Sequence, residues 1–450
     1  MRVFSRISSS NGEIEPHQAH CFELRSSSRE KSMIVSLKVR NFKSIVETKL
    51  RFSETFNCFV GMNGAGKTSI LQAIDFTSHL MRGDVEQWLK QRGWKSQDLH
   101  SKLSSAVNIV TFITFKLPSG KLVKWRSAFN RQTGSCTRED VYVVDDLERA
   151  DLDIFDPRPE AILFDVRRGK YSIGKSEKND ISFNYEGSLL SILKTDLLTE
   201  DLVALRDGIR NIRSLELLSP HLMRSVSRES DVDIGIGGEK LSAFLYKIKG
   251  DQRTDLINLL KSFYPSIVDF KVIQQRAGWK RLSIIEEHGG KRIESEAKYT
   301  NDGLLRILAI LAQTAMTKST LLFDEIENGV NPEIVEKLVD ALQRCAGQII
   351  VTTHSPVVLN YLEDKVAMNA VQFIYRAGDG STKARPFFRL PRATEKLQLM
   401  GPGEAFIDTS LPALANEAIE MDRIEKDELE KFKKAISKRV TRTQRPPEAK

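Results

Sequence analysis

The chain has 450 residues, 40% hydrophobic and 28% charged, with 68 Lys and Arg against 60 Asp and Glu for a formal charge of +8. This balance excludes a disordered or fibrous protein and allows two or three domains, or one with large insertions, while the modest positive excess permits a polyanion partner without requiring one. No apolar run reaches the roughly 18 to 20 residues that cross a bilayer, and Cys21, Cys58, Cys136 and Cys345 stand too far apart for a zinc site or a disulfide framework, so a soluble cytoplasmic protein with no membrane partner is expected.

Residues 1–32 are rich in Ser and charge, show no apolar period and lack the apolar stretch of a signal peptide. They read as a disordered extension, and Met33 as a candidate start of the folded chain. From Met33, "MIVSLKVRNFKSIVETKLRFSETFNCFVG" reads as three short strands. The third, "FNCFV", runs into "GMNGAGKTS", where Gly61, Gly66, Lys67 and Thr68 have GxxxxGK[ST] spacing. In such a loop, spanning Gly61, Asn63, Gly64, Ala65, Gly66, Lys67, Thr68 and Ser69, backbone N–H groups turn inward around the α- and β-phosphates. Lys67 reaches the β/γ oxygens, and the Thr68 hydroxyl ligates Mg²⁺. The helix that follows adds the positive end of its dipole.

From 108 to 175 short β-type runs alternate with turns, including the hairpin signal "LPSGK", which predicts an antiparallel sheet. From 188 to 263 the spacing of "SLLSILKTDLLTEDLVALRDGIRNI" and "EKLSAFLYKIKGDQRTDLINLLKSFY" predicts helices, with "SVSRESDVDIGIGG" as a loop between them. "VDFKVIQQ" and "RLSIIEEH" read as two further strands, and "NDGLLRILAILAQ" as a helix opening at a glycine.

In "STLLFDEIENGVNP" the buried run Leu321–Phe323 ends in Asp324 and Glu325. Adjacent acids at the carboxyl end of a buried strand suit a Mg²⁺–phosphate site, with Asp324 holding the metal and Glu325 orienting and polarising the attacking water. "QIIVTTHSPVVLN" repeats the form and ends its strand in Thr352, Thr353 and His354.

These three stretches resemble the Walker A, Walker B with D-loop, and H-loop of ABC-type ATPases. The opening "LKVRNFKSIVETKLRF" resembles the RecF, SMC and OLD branch, a likeness running from Met33 to about Phe388. The resemblance implies an α/β ABC-ATPase head, a P-loop NTPase with a mixed sheet, an adjoining antiparallel sheet and a helical insertion between Walker A and Walker B. It further implies slow ATP hydrolysis with Mg²⁺, with Lys67, Glu325 and His354 as catalytic residues. Two heads would sandwich ATP in a homodimer or higher homo-oligomer, with Asn301 and Gly303 of "NDGLLR" acting in trans and Asn301 standing where the family has serine. Glu186 of "NYEGSLLS" is the closest match to the family's Q-loop glutamine. The domain order expected is an extension (1–32), an ATPase lobe (33–187), a helical insertion (188–265), a second ATPase lobe (266–390) and a C-terminal segment with a basic tail (391–450).

Two roles follow from the resemblance. One is the sensor or scaffold ATPase of a bacterial anti-phage or toxin-like system, similar to small OLD-like ATPases and to the ATPase component of the PARIS system. The other is a RecF-like repair ATPase that binds DNA directly. Residues 355–450 contain no Asp-x-Asp of the kind a TOPRIM nuclease uses, so the first role needs an effector protein from a neighbouring gene, a TOPRIM nuclease being one candidate. The basic run Lys431, Lys433, Lys434, Lys438, Arg439, Arg442 and Arg445 offers a nucleic-acid contact or a solvated face.

Overall fold

The computed structural model describes residues 32–145, 162–229 and 233–443. The expected N-terminal extension therefore lies outside the described residues except for its last position, as does Arg445 of the basic run. No helix among the described residues is long and apolar enough to cross a membrane.

In chain order, β1 (Met33–Phe42), β2 (Ile45–Arg51) and β3 (Phe56–Val60) precede α1 (Lys67–Arg82) and α2 (Val85–Gln91). Then come β4 (Asn108–Lys116), β5 (Leu122–Asn130), β6 (Ser135–Val144), β7 (Ile162–Arg167), β8 (Lys170–Ile173) and β9 (Asn179–Asp180). The middle of the chain holds α3 (Glu200–Arg210), β10 (Arg213–Ser214), α4 (Pro220–Met223), α5 (Leu241–Lys247), α6 (Gly250–Phe263), β11 (Ile267–Gln274), β12 (Lys280–His288) and β13 (Lys291–Glu296). The last third holds α7 (Asp302–Met316), β14 (Thr320–Phe323), α8 (Pro332–Gln343), β15 (Gln348–Thr352), α9 (Pro356–Asn360), α10 (Asp364–Ala370), β16 (Val371–Arg376) and β17 (Thr382–Pro386). It closes with α11 (Pro391–Leu397), α12 (Pro402–Ile407) and the long α13 (Leu411–Thr443).

The central sheet has the order β10-β14-β15-β3-β16-β17, parallel except for β17. Every residue of β3, β14 and β15 is buried, as expected of parallel strands covered on both faces. Alternation splits these side chains between two cores. Phe59, Leu322, Ile350 and Ile374 face α1 and the antiparallel sheet β2-β1-β4-β5-β6-β7-β8-β9. Cys58, Leu321, Phe323, Ile349 and Val351 face the second cluster, with α5 to α8. Helix α1 is buried almost all round, polar residues such as Gln72, Asp75 and Thr77 included, because it lies between two sheets. The sheets are also joined by Gln348, whose amide accepts from Ile34 N at 3.0 Å and donates to Ile34 O at 2.8 Å, as a strand neighbour would.

The structure departs from the sequence expectation in three places. Residues 188–199 do not form a helix but two single 3₁₀ turns. Ser188 and Thr199 each accept from the backbone N–H two or three residues on, which favours turn and cap over helix interior, so α3 begins only at Glu200. Within the stretch expected to be a helical insertion, β10 joins the central sheet beside β14 and α3 packs on α1. Finally, β13 pairs with β12 across Gly289 and Gly290, both at positive φ, a hairpin signal in an otherwise polar run. At the C-terminal end, α13 is docked by buried Leu414 and Ala418 and by Asp422, which accepts from Tyr375 Oη at 2.6 Å and pairs with Arg385 at 2.7 Å.

Glu139 of β6 is fully buried in the α1-side core. It accepts from Trp125 Nε1 at 3.0 Å, from Leu189 N at 2.7 Å and from the Ser188 hydroxyl, so it ties the antiparallel sheet to the 188–191 turn. Burial pushes its carboxyl up to about 7, from an ordinary 4.5. The folded protein thus holds a proton that the unfolded chain gives up, and the stability contributed is complete below about 4.5 and is lost as pH rises through about 7. Glu139→Gln should flatten the fall in unfolding free energy between about pH 5.5 and 8 by about 2 kcal/mol. Denaturant titration of both proteins at the two pH values checks this, and parallel losses would assign the pH dependence to other groups.

Candidate nucleotide site

Between the end of β3 and the start of α1 the chain turns through Gly61, Gly64 and Gly66, at φ 151°, 74° and 107°. Two of these positions also have no room for a side chain. A Cβ at Gly61 would lie 2.1 Å from Ile374 O, and one at Gly66 2.2 Å from Thr382 Oγ1, so β16 and β17 press the loop into shape from behind. Thr382 Oγ1 donates to Ala65 O at 2.9 Å, and Arg376 Nε donates to Gly64 O at 2.9 Å. No side chain caps the start of α1, which leaves its first amides directed at the cleft as an anion site.

The cleft in front of the loop has a volume of about 540 Å³ and is lined by Asn63, Gly64, Gly66, Lys67, Thr68, Ser69, Asp324, Glu325, His354 and Arg376. Strands β14 and β15 bring Asp324, Glu325 and His354 to the same edge as the loop, because parallel neighbours end together. Thr68 Oγ1 donates to Asp324 Oδ2 at 2.9 Å, while Thr352 Oγ1 donates to Asp324 Oδ1 and accepts from Glu325 N at 2.8 Å. Lys67 Nζ donates to Gly61 O at 2.9 Å and Met62 O at 3.2 Å, and lies 3.4 Å from His354 Nδ1. An ammonium only donates, so Nδ1 is the acceptor there and the His354 proton sits on Nε2, which faces Glu325 Oε1 at 3.7 Å. Burial lowers the pKa of Lys67 against the opposing pull of Asp324, Glu325 and Glu327.

Asn301, Gly303 and Glu186 lie outside this cleft. Asn301 caps α7, its Oδ1 accepting from Leu304 N at 2.7 Å, and a Cβ at Gly303 would lie 2.9 Å from Gly329 O, so this loop lies against the turn after Glu325. Glu186 is a correction. Its carboxylate accepts from Glu86 N, and the adjoining Ser188 N donates to Leu80 O at 2.8 Å. That is the far end of the 16-residue α1, about 24 Å along the helix from the phosphate loop, so Glu186 cannot serve as the Q-loop residue of this site.

Other residues enter the site that spacing did not single out. Glu327 Oε1 accepts from His354 N at 2.8 Å and Ser355 N at 3.1 Å, fixing the His354 turn. Glu216, just past β10, accepts from Gln72 of α1, and its carboxyl is raised by burial, with Asp324 among the charges that add to the shift. A two-residue strand is too short to show a period, so nothing in the sequence marked its end. Arg376 was hidden at the end of a buried strand. Among the described residues no three His, Cys, Asp or Glu side chains converge on a metal position. Mg²⁺ asks for less, one or two hard oxygens beside phosphate and water, and the adjoining Thr68 hydroxyl and Asp324 carboxylate fit it.

Residues 33–204 match the family described as "AAA ATPase domain", and residues 187–360 the family described as "AAA domain, putative AbiEii toxin, Type IV TA system". Over 46 residues the chain is 50% identical to the DNA replication and repair protein RecF of Porphyromonas gingivalis and 46% identical to that of Francisella tularensis subsp. novicida. Each alignment covers 10% of this chain, which spans only 13% of the length of those relatives. Among solved structures, the SMC head bound to the C-winged helix domain of ScpA aligns over 78% of this chain and 96% of its own, at 17% identity and a TM-score of 0.47. The recombination mediator RecF aligns over 79% and 99%, at 12% identity and a TM-score of 0.39. The two family matches run without a gap from 33 to 360 and enclose the phosphate loop, the Asp324–Glu325 strand end and His354, so over that span the chain is similar to AAA ATPase domains.

Proposed function

We propose that this cleft binds Mg-ATP and hydrolyses it slowly, and that the bound nucleotide gates pairing of two heads. The observation that carries the proposal is the 2.9 Å contact between Thr68 and Asp324, which places the loop hydroxyl and the strand-end carboxylate side by side, with Glu325 and His354 on the same cleft wall. The α1 amides and Lys67 hold the phosphates, Lys67 leaving the carbonyls of Gly61 and Met62 for the β/γ oxygens. Thr68 and Asp324 hold Mg²⁺, which when bound neutralises charge on the phosphate oxygens. Glu325 accepts the proton of the attacking water as its oxygen bonds to the γ-phosphorus and ADP departs. The Nε2–H of His354 stabilises charge on the γ-phosphate oxygens. Asn301 and Gly303 act on the nucleotide of a second copy.

For the biological role, the match of residues 187–360 to a family described as a putative toxin of a toxin–antitoxin system supports a sensor or scaffold ATPase of a defence or toxin-like system. Its output passes through a separate effector, a TOPRIM nuclease being one candidate. The short identities with RecF support the second role, an ATPase that acts on DNA directly.

Lys67→Ala should abolish binding of fluorescent ATP, since it removes the charge facing the β/γ-phosphates. Glu325→Gln should bind ATP normally, hydrolyse it at least about a hundredfold more slowly, and accumulate as a paired species by light scattering with Mg-ATP. If that variant kept one mass with and without ATP and turned over at the wild-type rate, the gating mechanism would be wrong.

The two roles separate on DNA. In the effector-coupled role the protein alone leaves DNA uncut with Mg²⁺ or Mn²⁺, and DNA does not accelerate its ATPase. The RecF-like role requires binding that weakens steeply with salt, with a slope that flattens when residues 431–450 are removed. Salt-dependent binding titrations and stimulated-ATPase assays on the same preparations decide between them.

A further inference from the structure

Glu325 has φ +47°, a left-handed backbone that is unfavourable for a residue with a Cβ. Such a conformation persists only when the surroundings hold it, and here they hold it from two sides. From the sheet, Thr352 Oγ1 accepts from Glu325 N at 2.8 Å. From the opposite side, Arg306 of α7 donates through one guanidinium nitrogen to Asp324 O at 3.3 Å and to Glu325 O at 3.2 Å. Glu325 O also accepts from Asn328 N at 2.9 Å, so the turn is closed around the carbonyl that Arg306 grips. Arg306 is thus the hydrogen-bonded link between this turn and the helix whose first turn is the Asn301–Gly303 loop.

A second observation points the same way. Arg306 Nε and Glu327 Oε2 are both buried without a hydrogen-bond partner among the described residues. Burial lowers the pKa of Arg306, and Glu327 is the strongest charge opposing that shift. Two orphaned groups of opposite charge near the same turn are costly, and a small displacement of α7 that brought them together would relieve both. Glu327 also holds the His354 backbone, so such a shift would act on both sides of the γ-phosphate position.

We propose that Arg306 is a positioning residue for hydrolysis. It fixes the direction in which the Glu325 carboxylate leaves the backbone, and it makes that direction depend on the position of α7, so that a molecule docking on the Asn301–Gly303 end changes turnover at this chain's own nucleotide without changing its affinity. The inference rests on the ATPase mechanism given above and adds a link that the mechanism does not contain.

The test uses the full chain with Arg306→Ala and Arg306→Lys. It reads phosphate release from Mg-ATP, affinity for mant-ATP with Mg²⁺, and melting temperature. Arg306→Ala should lower kcat by about tenfold or more while mant-ATP affinity stays within about threefold, and free guanidinium at millimolar concentration should restore part of the lost turnover. Arg306→Lys keeps the stem and charge, is expected to fall between the two proteins, and carries the test if the alanine variant melts early. Unchanged kcat, or a fall in kcat matched by an equal loss of affinity, overturns the inference. If the wild type bound mant-ATP but released no phosphate, the ATPase mechanism would fail and take this inference with it. Equal release by wild type and Arg306→Ala overturns only the inference.

Discussion

The rest of the structure follows from the burial of β3, β14 and β15 on both faces. Three adjacent parallel strands with no polar face must sit at the centre of the molecule, with α1 and the antiparallel sheet on one side and α5 to α8 on the other. Parallel strands end at the same edge, so the loops that leave them share one neighbourhood although the loop after Val60 lies far in sequence from those after Phe323 and Thr352. The contacts between Thr68 and Asp324 and between Lys67 and His354 result from that shared edge.

That logic also sets what could be seen beforehand. The phosphate loop, the acids at 324 and 325 and His354 were legible because each follows an apolar run long enough to read as a buried strand, and their convergence follows from parallel pairing. The antiparallel sheet was legible from its alternation and its hairpin turns. Glu216 and the two-residue β10 were not, because their place is fixed by pairing with β14 and not by any local period. Glu186 was misplaced for the converse reason. A Gly-Ser turn before apolar residues looks the same wherever it packs, and only the contact of Ser188 with Leu80 puts it at the far end of α1.

The charges around the cleft are arranged so that few are satisfied by one another alone. Lys67 is held by carbonyls, Glu327 by backbone N–H groups, and Arg306 by the carbonyls of Asp324 and Glu325. Groups held by backbone dipoles keep their orientation without being neutralised, which preserves their field for an incoming polyanion. A cleft of mutually paired side chains would have to break those pairs before binding anything.

Asn301 stands where the resemblance to ABC-type ATPases implies a serine, and the proposed mechanism can absorb the difference. At the start of α7 the residue has two tasks in the proposed mechanism, to cap the helix and to present a donor to phosphate on a second copy. A serine hydroxyl does both with one oxygen, accepting from the helix while its proton points outward. Asn301 divides them, because Oδ1 already accepts from Leu304 N at 2.7 Å and the amide Nδ2 remains the donor. The longer side chain carries that donor farther from the helix axis. Gly303 meanwhile lies close against Gly329 O, where a Cβ would fall at 2.9 Å, so the loop has little freedom to withdraw. Any compensation for the longer reach must then come from the placement of α7 itself, the element that Arg306 ties to Glu325.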